Sequence, residues 1–128
     1  MGVFHGDNTG LYHSKLLMAK LYRVFGDDAS AARHEEEAAA LRERIMKHLW
    51  NGRFFRHFLP LTPVDYGVDE EFQMSLSNSY ALNRNILNFE ERLSVINAYR
   101  DMRKKYGGEL DDFRNLEPPY PVFHGMKA

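Results

Sequence analysis

The chain contains no cysteine, which removes disulfides, thiolate nucleophiles and the commonest structural zinc ligands together and leaves the redox compartment undetermined. It also lacks an excess of charge of either sign. Seventeen Lys and Arg against eighteen Asp and Glu give a net charge of −1, so no global field draws it to nucleic acid or anionic lipid, and neither is expected as a partner. No apolar run approaches the roughly 20 residues needed to span a bilayer. The opening "MGVFHGDNTG" lacks the basic and apolar regions of a signal peptide, and Gly6 stands where a myristoylation site needs serine or threonine. The glycines of "HGDNTG" have the wrong separation for a phosphate loop and no strand is expected before them. No G-x-S-x-G occurs.

What is present is an ordinary globular balance. The 128 residues are 44% hydrophobic and 27% charged, which fits one domain with one core. "TGLYHSKLLMAKLYRVFG" repeats Leu11, Met18, Leu21 and Phe25, widened by Leu17 and Val24, at the period of an amphipathic helix. Asn8 or Thr9 is expected to cap its start and Gly26 to end it in the left-handed conformation. "DASAARHEEEAAALRERIMKHLW" then carries His34, Ala38, Leu41, Ile45 and Leu49 on one face, with Asp27 or Asp28 as cap. So short a link predicts an antiparallel helical hairpin over residues 9 to 50.

"NGRFFRHFLPLTPVDYG" reads as a turn at Asn51-Gly52 followed by an extended, aromatic and proline-rich connection, since Pro60 and Pro63 exclude helix. A third helix is predicted from near Asp69 through Leu76 and Tyr80, against the grain of its serines and asparagines. A fourth starts at the capping pair Asn88 and Glu91 and presents Val95, Tyr99, Met102 and Tyr106 beside Leu93 and Ile96. These two form a second predicted hairpin over 69 to 106. The tail from 109 to 128, with three prolines and no period, is expected to cross the surface as an ordered arm.

Among candidate chemical groups, the six histidines include only His5 and His13, with Asp7, at close spacing. No pair has the helical zinc-protease spacing, so no metal and no cofactor is expected. His34 on an apolar face reads as a hydrogen-bonded core or interface histidine, and His48 and His57 as half-exposed packing residues. Carboxylate chemistry remains: Asp7, Asp65, Asp69, Glu70 and Glu71 border turns or helix starts, and paired carboxylates are what glycoside hydrolysis requires. Acids at helix starts also oppose the macrodipole and need no other reason. The aromatics of "WNGRFFRHF", with Tyr66 and Phe72, offer faces for sugar rings or for a core. Asn78, Asn83 and Arg84 suit either a carbohydrate pocket or a buried network that fixes a turn.

Three stretches, "HLWNGRFFRHFLPL", "MSLSNSYALNR" and "FRNLEPPYP", in that order, resemble a segment of the bacterial six-hairpin glycosidase-like proteins. These are the (α/α)6-toroid group that contains amylo-α-1,6-glucosidase-like and related glycoside hydrolases. Trp50, Asn51, Gly52, Phe54, Phe55 and His57 match the first motif. Ser75, Leu76, Ser77, Asn78, Tyr80, Asn83 and Arg84 match the second, and Pro118, Pro119 and Pro121 the third. Two departures are Ser79, where the pattern often has proline, and Asn85, where it has glycine.

The resemblance implies a mainly α fold, two hairpins of an (α/α)6 toroid, and a carbohydrate ligand. It offers Asp69, Glu70 or Glu71 as general acid or base and Trp50, Phe55, Tyr66, Asn78 and Arg84 as residues that position a glycoside. A toroid of about twelve helices exceeds a domain of this size, so the chain is expected to be a piece of a larger protein, nearly inactive alone and self-associating into a homo-oligomer through helix faces that have lost their neighbours. The rival expectation is a non-catalytic helical module that assembles through its apolar faces, with "SLSNSYALNR" as a buried network.

Overall fold

A computed structural model describes residues 1–106 and 116–117. It is mainly helical, with a short two-stranded ladder at each side of the central connection. Strand β1 (Gly2–Phe4) runs directly into helix α1 (His5–Val24), and α2 (Asp28–Leu49) returns along it. The link between these helices is set by local chemistry. Gly26 takes φ +79°, the Gly26 amide donates to Arg23 O and the Asp27 amide to Tyr22 O (3.1 and 2.9 Å). This pair of hydrogen bonds closes the end of α1 as a Schellman motif. Asp27 Oδ1 then accepts from the Ser30 amide at 2.9 Å and caps α2. Both helix signals therefore act where the sequence places them.

The start of α1 differs from expectation. It begins four residues early, after an extended Phe4, and Asn8 is inside the helix, where its Nδ2 donates to Phe4 O at 2.8 Å instead of capping. A strand does precede "HGDNTG", contrary to the sequence reading. The buried face is also not the predicted leucine stripe: His5, Thr9, Tyr12 and Ala19 face inward, while Leu11, Leu17, Met18, Leu21, Val24 and Phe25 stay exposed. Helix α2 is as predicted, with Ala31, Ala38, Leu41, Ile45 and Leu49 buried. His34 is half-buried, its Nδ1 2.9 Å from Ser30 O and its ring against Tyr22.

After α2 the chain turns at Asn51, whose Oδ1 accepts from the amides of Arg53 and Phe54 (3.0 and 2.9 Å). Strand β2 (Phe58–Pro60) then pairs antiparallel with β1, Gly2 opposite Pro60 and Phe4 opposite Phe58. The predicted third helix is replaced by a 3-10 turn (Glu70–Phe72), a strand β3 (Met74–Ser75) and a five-residue helix α3 (Ser77–Ala81). Two competing bonds explain the break. Asp69 Oδ1 takes the Glu71 amide (3.1 Å), and Gln73 O accepts the His57 amide (2.8 Å), which holds this stretch extended.

Helix α4 (Phe89–Tyr106) opens with the predicted reciprocal cap, Asn88 N to Glu91 Oε2 at 2.7 Å and Glu91 N to Asn88 Oδ1 at 2.8 Å. Val95 and Ala98 are buried and Tyr99 and Met102 partly so, whereas Leu93 and Ile96 face out. Arg42 on α2 reaches Ile86 O (2.8 Å) and Glu91 (3.2 Å), tying the start of α4 to the first hairpin. The second expected hairpin thus reduces to one long helix preceded by a braced irregular segment. Strand β4 (Leu116–Glu117) pairs antiparallel with β3; the rest of the predicted arm, with Pro118, Pro119 and Pro121, lies outside the described residues. Among the described residues no helix is long and apolar enough to cross a membrane.

Candidate functional site

The polar stretch around Ser75 is assembled against the N-terminal end of α1. His5 Nε2 lies 3.1 Å from Ser75 Oγ, and the His5 ring stacks on Phe55 at 5.4 Å between centroids. One turn on, Arg84 donates from one guanidinium nitrogen to Gly6 O and to Thr9 Oγ1, both at 2.7 Å, and packs over the Tyr80 ring. Tyr12 OH donates to Asn85 O at 3.2 Å. A Cβ at Gly6 would lie 2.6 Å from Ser77 Oγ, so glycine there is what lets α3 approach the helix so closely. "HGDNTGLY" and "SLSNSYALNRN" therefore face each other, residue against residue, across 70 positions of sequence.

Asn78 is fully buried and completely used. Its Oδ1 accepts from the Phe55 amide (2.9 Å), and its Nδ2 donates to Phe55 O (2.8 Å) and Ser75 O (3.4 Å). The side chain acts as a strand would, satisfying both backbone groups of a core residue. Ser75 O also accepts from Tyr99 OH at 2.9 Å, and burial pushes the Tyr99 phenol up to about 12. Asn85 has φ +59°, a left-handed conformation that asparagine tolerates better than most residues. Ser79 bonds Leu76 O through both its amide (2.9 Å) and its hydroxyl (2.7 Å).

Among the described residues, His5 is the group whose pKa moves furthest from its ordinary value. Burial, then the neighbouring His57 and Arg84, lower its pKa to about 3, so the imidazole is neutral throughout the physiological range. Its Nδ1 has no hydrogen-bond partner among the described residues. Burial also lowers the pKa of half-buried His57.

The expected site residues separate into two groups. Phe55 and Asn78 have no accessible surface, so the one is core and the other a backbone clamp; in this structure neither presents a face or an amide to a sugar. Arg84 is likewise committed to α1. Trp50 is half-buried, with its ring edge-on to Phe55 at 5.1 Å, and Tyr66 is half-buried against Phe58 at 6.2 Å. Of the acids, Asp69 and Glu71 are exposed and Glu70 is buried. Asp69 caps the 3-10 turn, and the backbone oxygen of Glu71 receives Asn51 Nδ2 at 2.8 Å, which places the turn of the first motif beside the acids. Among the described residues no group of three or more His, Asp or Glu is placed to hold a metal ion.

Sequence reasoning missed the other half of this junction. His5 entered only as a metal candidate, Gly6 only where a myristoylation site and a phosphate loop were excluded, Thr9 only as a candidate helix cap, and Tyr12 not at all. The available signal was small and polar residues at three- and four-residue spacing in "HGDNTGLY", a face too polar for an ordinary core and therefore matched to polar neighbours. No family model matches the chain, and no curated protein or solved structure matches it either.

Proposed function

We propose that the chain is a hairpin-and-brace part of a carbohydrate-active, six-hairpin glycosidase-like protein, forming one wall of its sugar-binding cleft without catalysing by itself. The observation that carries this reading is convergence. The three stretches that hold the resemblance meet in space: Asn78 of the second clamps Phe55 of the first, and Leu116–Glu117 of the third pairs with Met74–Ser75 of the second. The departure at Asn85 supports it further, because the chain is left-handed there, where the pattern has glycine.

In this reading "SLSNSYALNR" is scaffolding. The groups with surface that a sugar could reach are the accessible parts of Trp50 and Tyr66 and the exposed Asp69 and Glu71, carried by the connection that the scaffold fixes. Retention or inversion both need two carboxyl groups roughly 5 to 9.5 Å apart across a formed pocket, so the isolated chain should bind oligosaccharide weakly and turn over no chromogenic glycoside. Trp50 is the only tryptophan, which makes its fluorescence a direct reporter. Saturable quenching by α- or β-linked glucan oligosaccharides, lost in Tyr66→Ala, is the expected result; no response to either series would count against the reading, and rapid turnover would count against the non-catalytic role.

A second reading has its own observation. Opposite its semi-polar inner face, helix α1 opens an apolar stripe of Leu11, Leu17, Met18, Leu21, Val24 and Phe25 to solvent, and a contiguous exposed apolar surface marks an interaction site. The chain is then a helical module that assembles through that face, which the mass in solution tests: a monomer at high concentration would contradict it.

A further inference from the structure

The open face of α1 has a regular design. Leu11, Met18 and Phe25 recur every seven residues, Ser14 and Leu21 fall between them, and Leu17 and Val24 flank the row. Val24 and Phe25 are 81% and 82% exposed, and Leu11, Leu17, Met18 and Leu21 between 40% and 51%. This is the spacing of a coiled-coil seam with one flank widened. The seam lies opposite the face that carries Tyr12 and Ala19 against α2, so the hairpin is complete without it.

We propose that this seam is occupied by the same seam of a second copy, with the two α1 helices antiparallel about a twofold axis near Met18. The inference deepens the self-assembly reading by naming its surface and geometry. Three features of the seam select this occupant. The open fractions of the six apolar residues equal about three and a half fully exposed side chains; at roughly 150–200 Å² each, near the lower end of the aromatic range, they offer about 500–700 Å² per copy, approaching the ~800 Å² that each partner contributes to a standard interface. The seam is bulky at its C-terminal end, with Val24 and Phe25, and small at Ser14, so only the antiparallel order sets Phe25 of one copy beside Leu11 and the gap at Ser14 of the other. Antiparallel helices also place opposite ends of their macrodipoles together.

The absence of cysteine gives a clean test. Leu11→Cys and Phe25→Cys are made separately, checked for native helix content by circular dichroism, mixed and mildly oxidised at high micromolar concentration. The expected product is the mixed disulfide, L11C to F25C, with little of either homodisulfide, together with a dimeric mass for the unmodified chain. Leu21→Lys, half-exposed and so harmless to the hairpin, should raise the dimer dissociation constant by about tenfold or more with unchanged helix content. A monomeric mass overturns this inference and the self-assembly reading together. A dimeric mass with homodisulfides, with no cross-link, or with no effect of Leu21→Lys overturns only the proposed geometry.

Discussion

Neutral His5 makes the stability of this protein depend on pH in a way that can be worked out. The folded imidazole has a pKa of about 3 against an ordinary 6.5, so the unfolded chain binds a proton that the folded chain refuses. Above pH 6.5 both states are neutral here and the group has no effect. As pH falls below 6.5, the unfolded state gains about 1.4 kcal/mol per pH unit from this one site, until the folded His5 also protonates near pH 3. At pH 5 the loss is about 2 kcal/mol, and the full difference of 6.5 minus 3 corresponds to about 5 kcal/mol. That is of the same order as the whole stability of a small domain. His57 acts in the same direction, because burial lowers its pKa too. The assay is urea unfolding followed by circular dichroism between pH 7.5 and 5, comparing the natural chain with His5→Gln. The variant should be less stable at pH 7.5, having lost the contact with Ser75 and the stack on Phe55, but its stability should fall less steeply with acid. Parallel pH profiles for the two proteins, or an imidazole of His5 that titrates near 6.5 by NMR in the folded state, would refute the buried neutral histidine.

Other outcomes follow from the same junction. Asn78→Ala leaves the buried amide and carbonyl of Phe55 without the partners they have now, and at about 1–3 kcal/mol for each unsatisfied group it should lower unfolding free energy by about 3 kcal/mol and speed exchange of the Phe55 amide. Asn85→Ala should cost about 1–2 kcal/mol because alanine resists the left-handed region, whereas Asn85→Gly should be nearly neutral; thermal melts distinguish the two. Gly6→Ala drives a methyl against Ser77 Oγ and should lower the melting temperature, with Ser77→Gly in the same chain recovering most of the loss. Equal melting temperatures for the single and double variants would show that the contact does not limit packing.

Much of the helical frame is legible in the sequence. Gly26, Asp27, the Asn88 and Glu91 pair and the turn at Asn51 act through neighbours one to five residues away, and such signals do not depend on the rest of the fold. The face of α2 is legible for the same reason. The face of α1 is not, because hydrophobic periodicity reports which residues are apolar, not which of two apolar or semi-polar stripes the hairpin uses. Here the stripe with His5, Thr9 and Tyr12 takes the inside since its hydrogen-bonding partners, Ser75, Arg84 and the Asn85 carbonyl, come from more than 65 residues away. The break in the predicted third helix has a similar origin. The serines and asparagines weaken the helix locally, but it is the His57 amide on Gln73 O and the clamp of Asn78 on Phe55 that fix the alternative. In the candidate site, polar crowding was readable and left two alternatives for Asn78 and Arg84, a carbohydrate pocket or a buried network; composition marks them as hydrogen-bonding groups, and packing shows their bonds made inside the chain.

The proposed division between scaffold and sugar-binding wall is best tested by NMR titration of the isotopically labelled chain with glucan oligosaccharides. Saturable shifts are expected to centre on the Trp50 indole, Tyr66 and the backbone of Asp69 to Glu71, while the Asn78 side-chain amide and the Phe55 amide hold their positions. Shifts centred on Asn78 and Arg84, or no saturable shifts at all, would contradict it.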